Sequence, residues 1–241
     1  MPPMADAAPF SPRRFRFVVF DWDGTLADST AIIADALQQA CRDIGASVPD
    51  AVNARYVIGL GLADALRHVA PNLPRERHPD LVARYRHHYI AREAAISLFA
   101  GVREMLADLG AAGIVLGVAT GKSRAGLDHA LAQHGIGGFF AATRCADEGF
   151  SKPHPDMLLR LMDQVGAVPG ETLMIGDTTH DLLLAQNAGV AGLAVGYGAH
   201  APAGLAQLRP LATVQSIPDL RAWLRGNTCL SPSSRLKPPS G

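Results

Sequence analysis

Two aspartates two residues apart, in Phe20-Asp21-Trp22-Asp23-Gly24-Thr25-Leu26, are the first groups in this chain whose type and spacing could do chemistry. On a strand, residues i and i+2 share a face, so both carboxylates would look into one small volume. Two such anions repel by about 4 kcal/mol at roughly 4 Å and an effective dielectric of 20. A cation, a proton or solvent has to relieve that repulsion. Asp-x-Asp-Gly also forms ordinary turns at strand exits, so this stretch alone leaves both readings open. Further polar groups follow downstream in Thr120-Gly121-Lys122-Ser123, in Lys152-Pro153 and in Gly176-Asp177-Thr178-Thr179-His180-Asp181.

The elements that would position these groups can be read from periodicity. The aromatic and β-branched run over 15–20 predicts a strand, and Gly24-Thr25 breaks it, which leaves Asp21 and Asp23 at its carboxyl end. Ser29 can cap a helix through Ile32, Ile33, Ala36, Leu37 and Ala40, and further helical pieces are expected over 62–69 and 81–93. From Gly101 onward the pattern alternates. It predicts a helix over 102–112, a strand over 114–119, a helix over 123–134, a strand near 139–144, a helix over 155–165, a strand over 172–175, a helix over 181–188 and a strand over 190–195. Gly113, Gly135, Gly166 and Gly189 stand where left-handed helix ends are expected. Strands alternating with helices imply βαβ units, so the predicted fold is α/β: a Rossmann-like, three-layer parallel-sheet core with an inserted helical unit. In such a sheet the carboxyl ends of the strands share one edge, where ligands bind, so residues some 130 positions apart can converge with Asp21 and Asp23.

Composition narrows the partners. With 241 residues the chain can bury a full core, and 22 Lys+Arg against 22 Asp+Glu gives no electrostatic support to a nucleic-acid or anionic-membrane partner. The apolar runs over 114–119 and 190–195 are far short of the ~20 residues that span a bilayer. Cys41, Cys145 and Cys229 are odd in number and lack paired spacing, as free thiols in a reducing cytoplasm would be. The expected division is a disordered leader over 1–12, a core over 13–28 and 98–225, a helical cap over 29–97 and a disordered tail over 226–241.

The order Asp-x-Asp-Gly-Thr, Thr-Gly, Lys-Pro, Gly-Asp-x-x-x-Asp resembles the four motifs of the haloacid dehalogenase-like hydrolases, and most closely their phosphoglycolate phosphatase-like branch with a helical cap. That resemblance, over about residues 17–197, implies that Asp21 is the nucleophile taking a phosphoryl group as an aspartyl phosphate and that Asp23 is the general acid and then base. It also implies Mg²⁺ held by the Asp21 side chain, the Asp23 main-chain carbonyl and Asp177, with Asp181 in support. Thr120, Gly121 and Lys152 would bind the phosphoryl group. The expected partner is a small-molecule phosphate ester, with 2-phosphoglycolate the leading substrate.

Several features compete with this reading. Gly117-Val118-Ala119-Thr120-Gly121-Lys122-Ser123 falls one residue short of a P-loop, because Leu116 stands where its first glycine belongs. No histidine pair has metal-binding spacing, His180 reads as a surface or helix-start residue, Lys122 as a helix-start residue and Trp22 as core. A dehalogenase is disfavoured by Asp23, and a phosphonate-cleaving enzyme by the lack of lysine over 29–96. A sugar phosphomutase of the same family is an alternative, although that branch carries Glu-Asp where this chain has Gly176-Asp177. A non-catalytic scaffold that senses phosphate or binds a partner is the alternative outside enzymology.

Overall fold

The alternating half of the chain folds as one parallel sheet. The computed structural model describes residues 15–228, so the expected leader at 1–12 and most of the expected tail lie outside the described residues. The strands are β1 (Phe17–Phe20), β2 (Val115–Thr120), β3 (Ala142–Cys145), β4 (Thr172–Gly176), β5 (Ala191–Val195) and β6 (Thr213–Val214), side by side in the order β3-β2-β1-β4-β5-β6. Every pairing is parallel, with Phe20 opposite Val118 on one side and Ile175 on the other. The chain thus builds outward from β1 in one direction and then in the other, which makes the end of β1 a topological switch point.

Strand alternation divides the core between the two faces of the sheet. Val18, Phe20, Leu116, Val118, Ile175 and Leu193 face α5 (Val102–Ala111), α6 (Arg124–His134) and α10 (Ile217–Asn227). Phe17, Val19, Ala119 and Met174 face α7 (Asp156–Val165) and α8 (Thr179–Asn187). Each fully buried aliphatic or aromatic side chain contributes about 1.5–3 kcal/mol relative to exposure.

Between β1 and β2 come α1 (Thr30–Asp43), α2 (Ala51–Tyr56), α3 (Leu62–Val69) and α4 (His78–Glu93). They bury a separate cluster of Ile33, Leu37, Val57, Leu66 and Leu81. Among the described residues no helix is long and apolar enough to cross a membrane.

Some boundaries differ from the periodicity. The strand expected near 139–144 begins later, because Gly137–Phe139 form a 3-10 turn closed by the Phe140 N–H donating to the Gly137 carbonyl. Of the tail expected over 226–241, the described residues 226–228 are ordered. Gly226 and Asn227 complete α10, and Thr228 is buried with its hydroxyl donating to the Leu224 carbonyl at 2.7 Å. Short elements escape the sequence reading: α2, α9 (Pro202–Ala206) and β6 are too brief to set a period. The α10 signal was available in Ile217, Leu220 and Leu224 behind Ser216, whose hydroxyl accepts from the Asp219 N–H at 3.2 Å.

Candidate active site

The carboxyl ends of β1, β2 and β4 meet at the switch point, and the motif residues follow from the register. Asp21 is one residue past Phe20, Thr120 two past Val118, and Asp177 two past Ile175. Asp21 continues the sheet by donating its N–H to the Ile175 carbonyl at 2.8 Å, which aims its wholly buried side chain over the sheet edge. The chain then turns at Gly24, where φ is +81° and an added Cβ would stand 2.2 Å from Asp177 Oδ2, so the turn and the close approach both require glycine.

Three acids and one cation are sealed together here. Lys152 Nζ lies 2.7 Å from Asp21 Oδ1 and 2.7 Å from Asp181 Oδ1. Asp181 Oδ2 accepts from the Thr178 N–H at 3.0 Å and from its hydroxyl at 2.7 Å, a capping box at the start of α8. Asp177 accepts from the Thr25 hydroxyl at 2.8 Å and from the Ala199 N–H at 2.7 Å. Asp21 Oδ2 is buried and has no hydrogen-bond partner.

Electrostatics follow from that crowding. Burial drives the Asp21 carboxyl well above the usual carboxylate range; Lys152 pulls it back, while Asp181 and Asp177 add to the rise. Burial and then Asp181 push Asp177 up to about 7, against its hydrogen bonds from Ala199 and Thr25. Burial works against the Lys152 ammonium, but Asp181 and Asp21 together hold it charged above the ordinary lysine value. A fixed cation among these groups would relieve the anions.

The donor set fits a hard divalent ion. Asp21, Asp177 and Asp181 each bring a carboxylate oxygen within 4.8 Å of the others, and the orphaned Asp21 Oδ2 is one more buried acceptor. All-oxygen donors of this kind suit Mg²⁺.

Asp23 stands apart from this acid cluster. Its carboxylate turns toward the Ser29 hydroxyl, which donates to Oδ1 at 2.7 Å, and toward Lys122 Nζ at 3.2 Å. Only its main-chain carbonyl is left for the metal role that the resemblance implies. Two expectations change here. Ser29 precedes α1 but makes no side-chain cap, because its hydroxyl is committed to Asp23. Lys122 is a partly buried ion-pair partner and not merely a helix-start residue.

Thr120 is fully buried, and its hydroxyl oxygen accepts from the Lys122 N–H at 3.2 Å. Gly121 lies against the insertion: an added Cβ would stand 2.4 Å from the Leu60 carbonyl oxygen. One on Gly59 would reach 3.3 Å from Thr178 Oγ1 and 3.8 Å from Asp21 Oδ2. The 57–61 loop therefore lies directly over the acid cluster. His180, expected as a surface or helix-start residue, stands in the first turn of α8 but is buried, and its Nε2 donates to the Tyr56 carbonyl at 2.7 Å. His200 bonds that same carbonyl at 2.9 Å, so a buried and a partly exposed histidine together tie down the end of α2. Trp22 is core, as strand alternation implies.

Sequence reasoning missed Thr25, Ser29, Thr178, Tyr89 and Ala199 as partners of the motif residues. Thr178 had a signal, because Thr178-x-x-Asp181 is a capping-box spacing. Ala199 had none, because a main-chain N–H contacting a distant carboxylate leaves no mark on the residue type.

Comparison with known proteins agrees with this geometry. The family model for haloacid dehalogenase-like hydrolases matches residues 18–195. The chain is 35% identical over 209 residues to the probable phosphatase IndB of Dickeya dadantii, covering 84% of this chain and 90% of that protein. It is 32% identical over 218 residues to the phosphoglycolate phosphatase of Vibrio vulnificus, covering 86% and 95%. Its fold superimposes on a hydrolase from Pseudomonas syringae with a TM-score of 0.80 at 21% identity, over 89% of this chain and 100% of that one. On the family match and these relatives together, the chain belongs to the haloacid dehalogenase-like hydrolases, in their phosphoglycolate phosphatase-like branch.

Proposed function

We propose that this hydrolase is a Mg²⁺-dependent phosphomonoesterase working through an aspartyl phosphate on Asp21. The observation that carries the reading is the Asp21 carboxylate itself. It is wholly buried at the switch point, with one oxygen against the Lys152 ammonium and the other without a partner. A carboxylate there is a poor structural residue and a serviceable in-line nucleophile.

In this mechanism an Asp21 oxygen attacks phosphorus, the bond to the ester oxygen breaks, and Asp23 gives that oxygen a proton. Water then attacks the phosphorus of the aspartyl phosphate, giving its proton to Asp23, and the Asp21 carboxylate and phosphate are released. The Thr120 hydroxyl and the Gly121 N–H hold phosphoryl oxygens, and Lys152 lets a dianion approach the acids. Mg²⁺, held by Asp21, Asp177 and the Asp23 main-chain carbonyl with Asp181 in support, would supply charge to stabilise the phosphoryl oxygens as the transition state forms.

Residues 29–97 act as a cap over a core at 13–28 and 98–225. The 57–61 loop lies too close to Asp21 for an ester to pass, so the cap opens to admit substrate and shuts to exclude water. Its two connections to the core run side by side, with the Asp28 N–H on the Ser97 carbonyl and the Phe99 N–H on the Leu26 carbonyl.

The leaving group would occupy a cavity of about 1020 Å³ between the helical insertion and the core, where Arg67 and Arg86 are the cations that would meet an acidic group. The leading substrate is 2-phosphoglycolate, as for the Vibrio vulnificus relative. We place the protein in the cytoplasm, on its buried free thiols Cys41 and Cys145. The phosphomutase alternative meets an obstacle at Gly176, where an added Cβ would stand 2.2 Å from Asp181 Cγ, so a glutamate does not fit there as packed.

The test is a phosphate-release screen over small phosphomonoesters with Mg²⁺ and with chelator. Ion-dependent release, highest on 2-phosphoglycolate, is expected. Release highest on another ester would redirect the substrate. No release on any ester would favour the non-catalytic scaffold.

A further inference from the structure

We propose that Lys122 is a positioning residue for Asp23, brought to bear by the helical insertion through Tyr89. This rests on the phosphomonoesterase reading above and adds a working part to it. Lys122 lies between β2 and α6 with its side chain only 10% exposed. Its Nζ stands 3.2 Å from Asp23 Oδ1 and donates to the Tyr89 hydroxyl at 2.7 Å, 4.9 Å from the centroid of that ring. Tyr89 is on α4, and its ring stacks on Tyr85 at 5.8 Å.

The geometry assigns a task to each oxygen of Asp23. The Ser29 hydroxyl and the Lys122 ammonium both grip Oδ1, so Oδ2 is left to carry the proton to and from the reacting oxygen. A lysine on its flexible four-carbon stem does not hold one position unaided. The Tyr89 hydroxyl and ring face supply the missing restraint. Because Tyr89 belongs to the insertion while Lys122 and Asp23 belong to the core, the clamp is complete only when the insertion is shut. The acid is thereby aligned over an enclosed ester and released when the site opens.

The test compares wild type, Lys122→Met and Tyr89→Phe, with Mg²⁺, on the best alkyl ester of the phosphate-release screen and on p-nitrophenyl phosphate. An alkyl oxygen needs a proton to leave and a nitrophenolate does not, so a misplaced acid penalises the alkyl ester selectively. The alkyl-to-aryl ratio of kcat is expected to fall about tenfold or more in Lys122→Met. It should fall less, in the same direction, in Tyr89→Phe, with KM little moved in either. Tyr89→Phe keeps the ring and its stacking, so its ratio decides the matter should Lys122→Met not fold. An unchanged ratio overturns the proposal. A raised KM at constant ratio also overturns it, because it would mean that the lysine binds the ester directly. Wild type inactive on both esters would instead bring down the phosphomonoesterase reading and this proposal with it.

Discussion

Gly121 lies directly beneath the Leu60 carbonyl of the helical insertion, close enough that a Cβ on it would stand 2.4 Å from that oxygen. Its missing side chain lets the insertion pack this closely, and its N–H is the group proposed above to hold a phosphoryl oxygen. Gly121→Ala should therefore hold the 57–61 loop away from the core. The expected result is faster amide exchange over 57–61 and a kcat/KM at least about tenfold lower, since small misplacements of reacting groups cost factors of this order or more. Unchanged exchange in that loop would show that the contact does not govern closure.

Asp21→Asn tests the nucleophile with almost no change of shape. Activity on every ester of the screen should drop by roughly 10⁶-fold, the scale seen when a nucleophile is removed from a concerted site. Far-UV circular dichroism should be unchanged, because the substitution takes a charge out of a buried site that has too many. Residual turnover near the wild-type rate would remove Asp21 from the mechanism.

The pH dependence of stability should reveal the acid cluster when no divalent ion is present. The folded chain holds the Asp177 proton up to about pH 7, whereas an unfolded aspartate loses it near its ordinary value of 3.8. Between those values the folded state binds more protons than the unfolded one, so rising pH lowers stability across that window. Melting in chelator should therefore shift to lower temperature from about pH 5 to pH 7, and added Mg²⁺ should flatten the slope. Asp177→Asn, whose amide can still meet the rotatable Thr25 hydroxyl, should lose its share of the slope, leaving the part that the raised Asp21 contributes, and melt at or above wild type in chelator at pH 7. A wild-type melting temperature in chelator that does not fall over that interval contradicts the raised Asp177 carboxyl.

Ser29→Ala removes the other grip on Asp23. The hydroxyl is fully buried and donates at 2.7 Å, so its loss should cost about 1 kcal/mol of stability. Turnover of an alkyl ester should fall more than that of p-nitrophenyl phosphate, as for Lys122→Met. Denaturant melts and paired kinetic runs check both; equal losses on the two esters would make Ser29 a purely structural residue.

The sequence by itself determined the α/β class, and it marked the end of β1 as the edge where the motif residues gather. Period-2 and period-3.6 patterns are local, and a motif at a strand end inherits its position from the sheet. Asp21, Thr120, Lys152, Asp177 and Asp181 were readable for that reason, and the structure buries all five at one edge. Only the tertiary structure decided how they are partnered. The pairing of Lys122 with Asp23 and Tyr89, the Ala199 N–H on Asp177 and the two histidines on the Tyr56 carbonyl all join residues distant in the chain. Such contacts depend on where the helical insertion lands on the sheet, which is a balance of packing over many residues that no local spacing encodes.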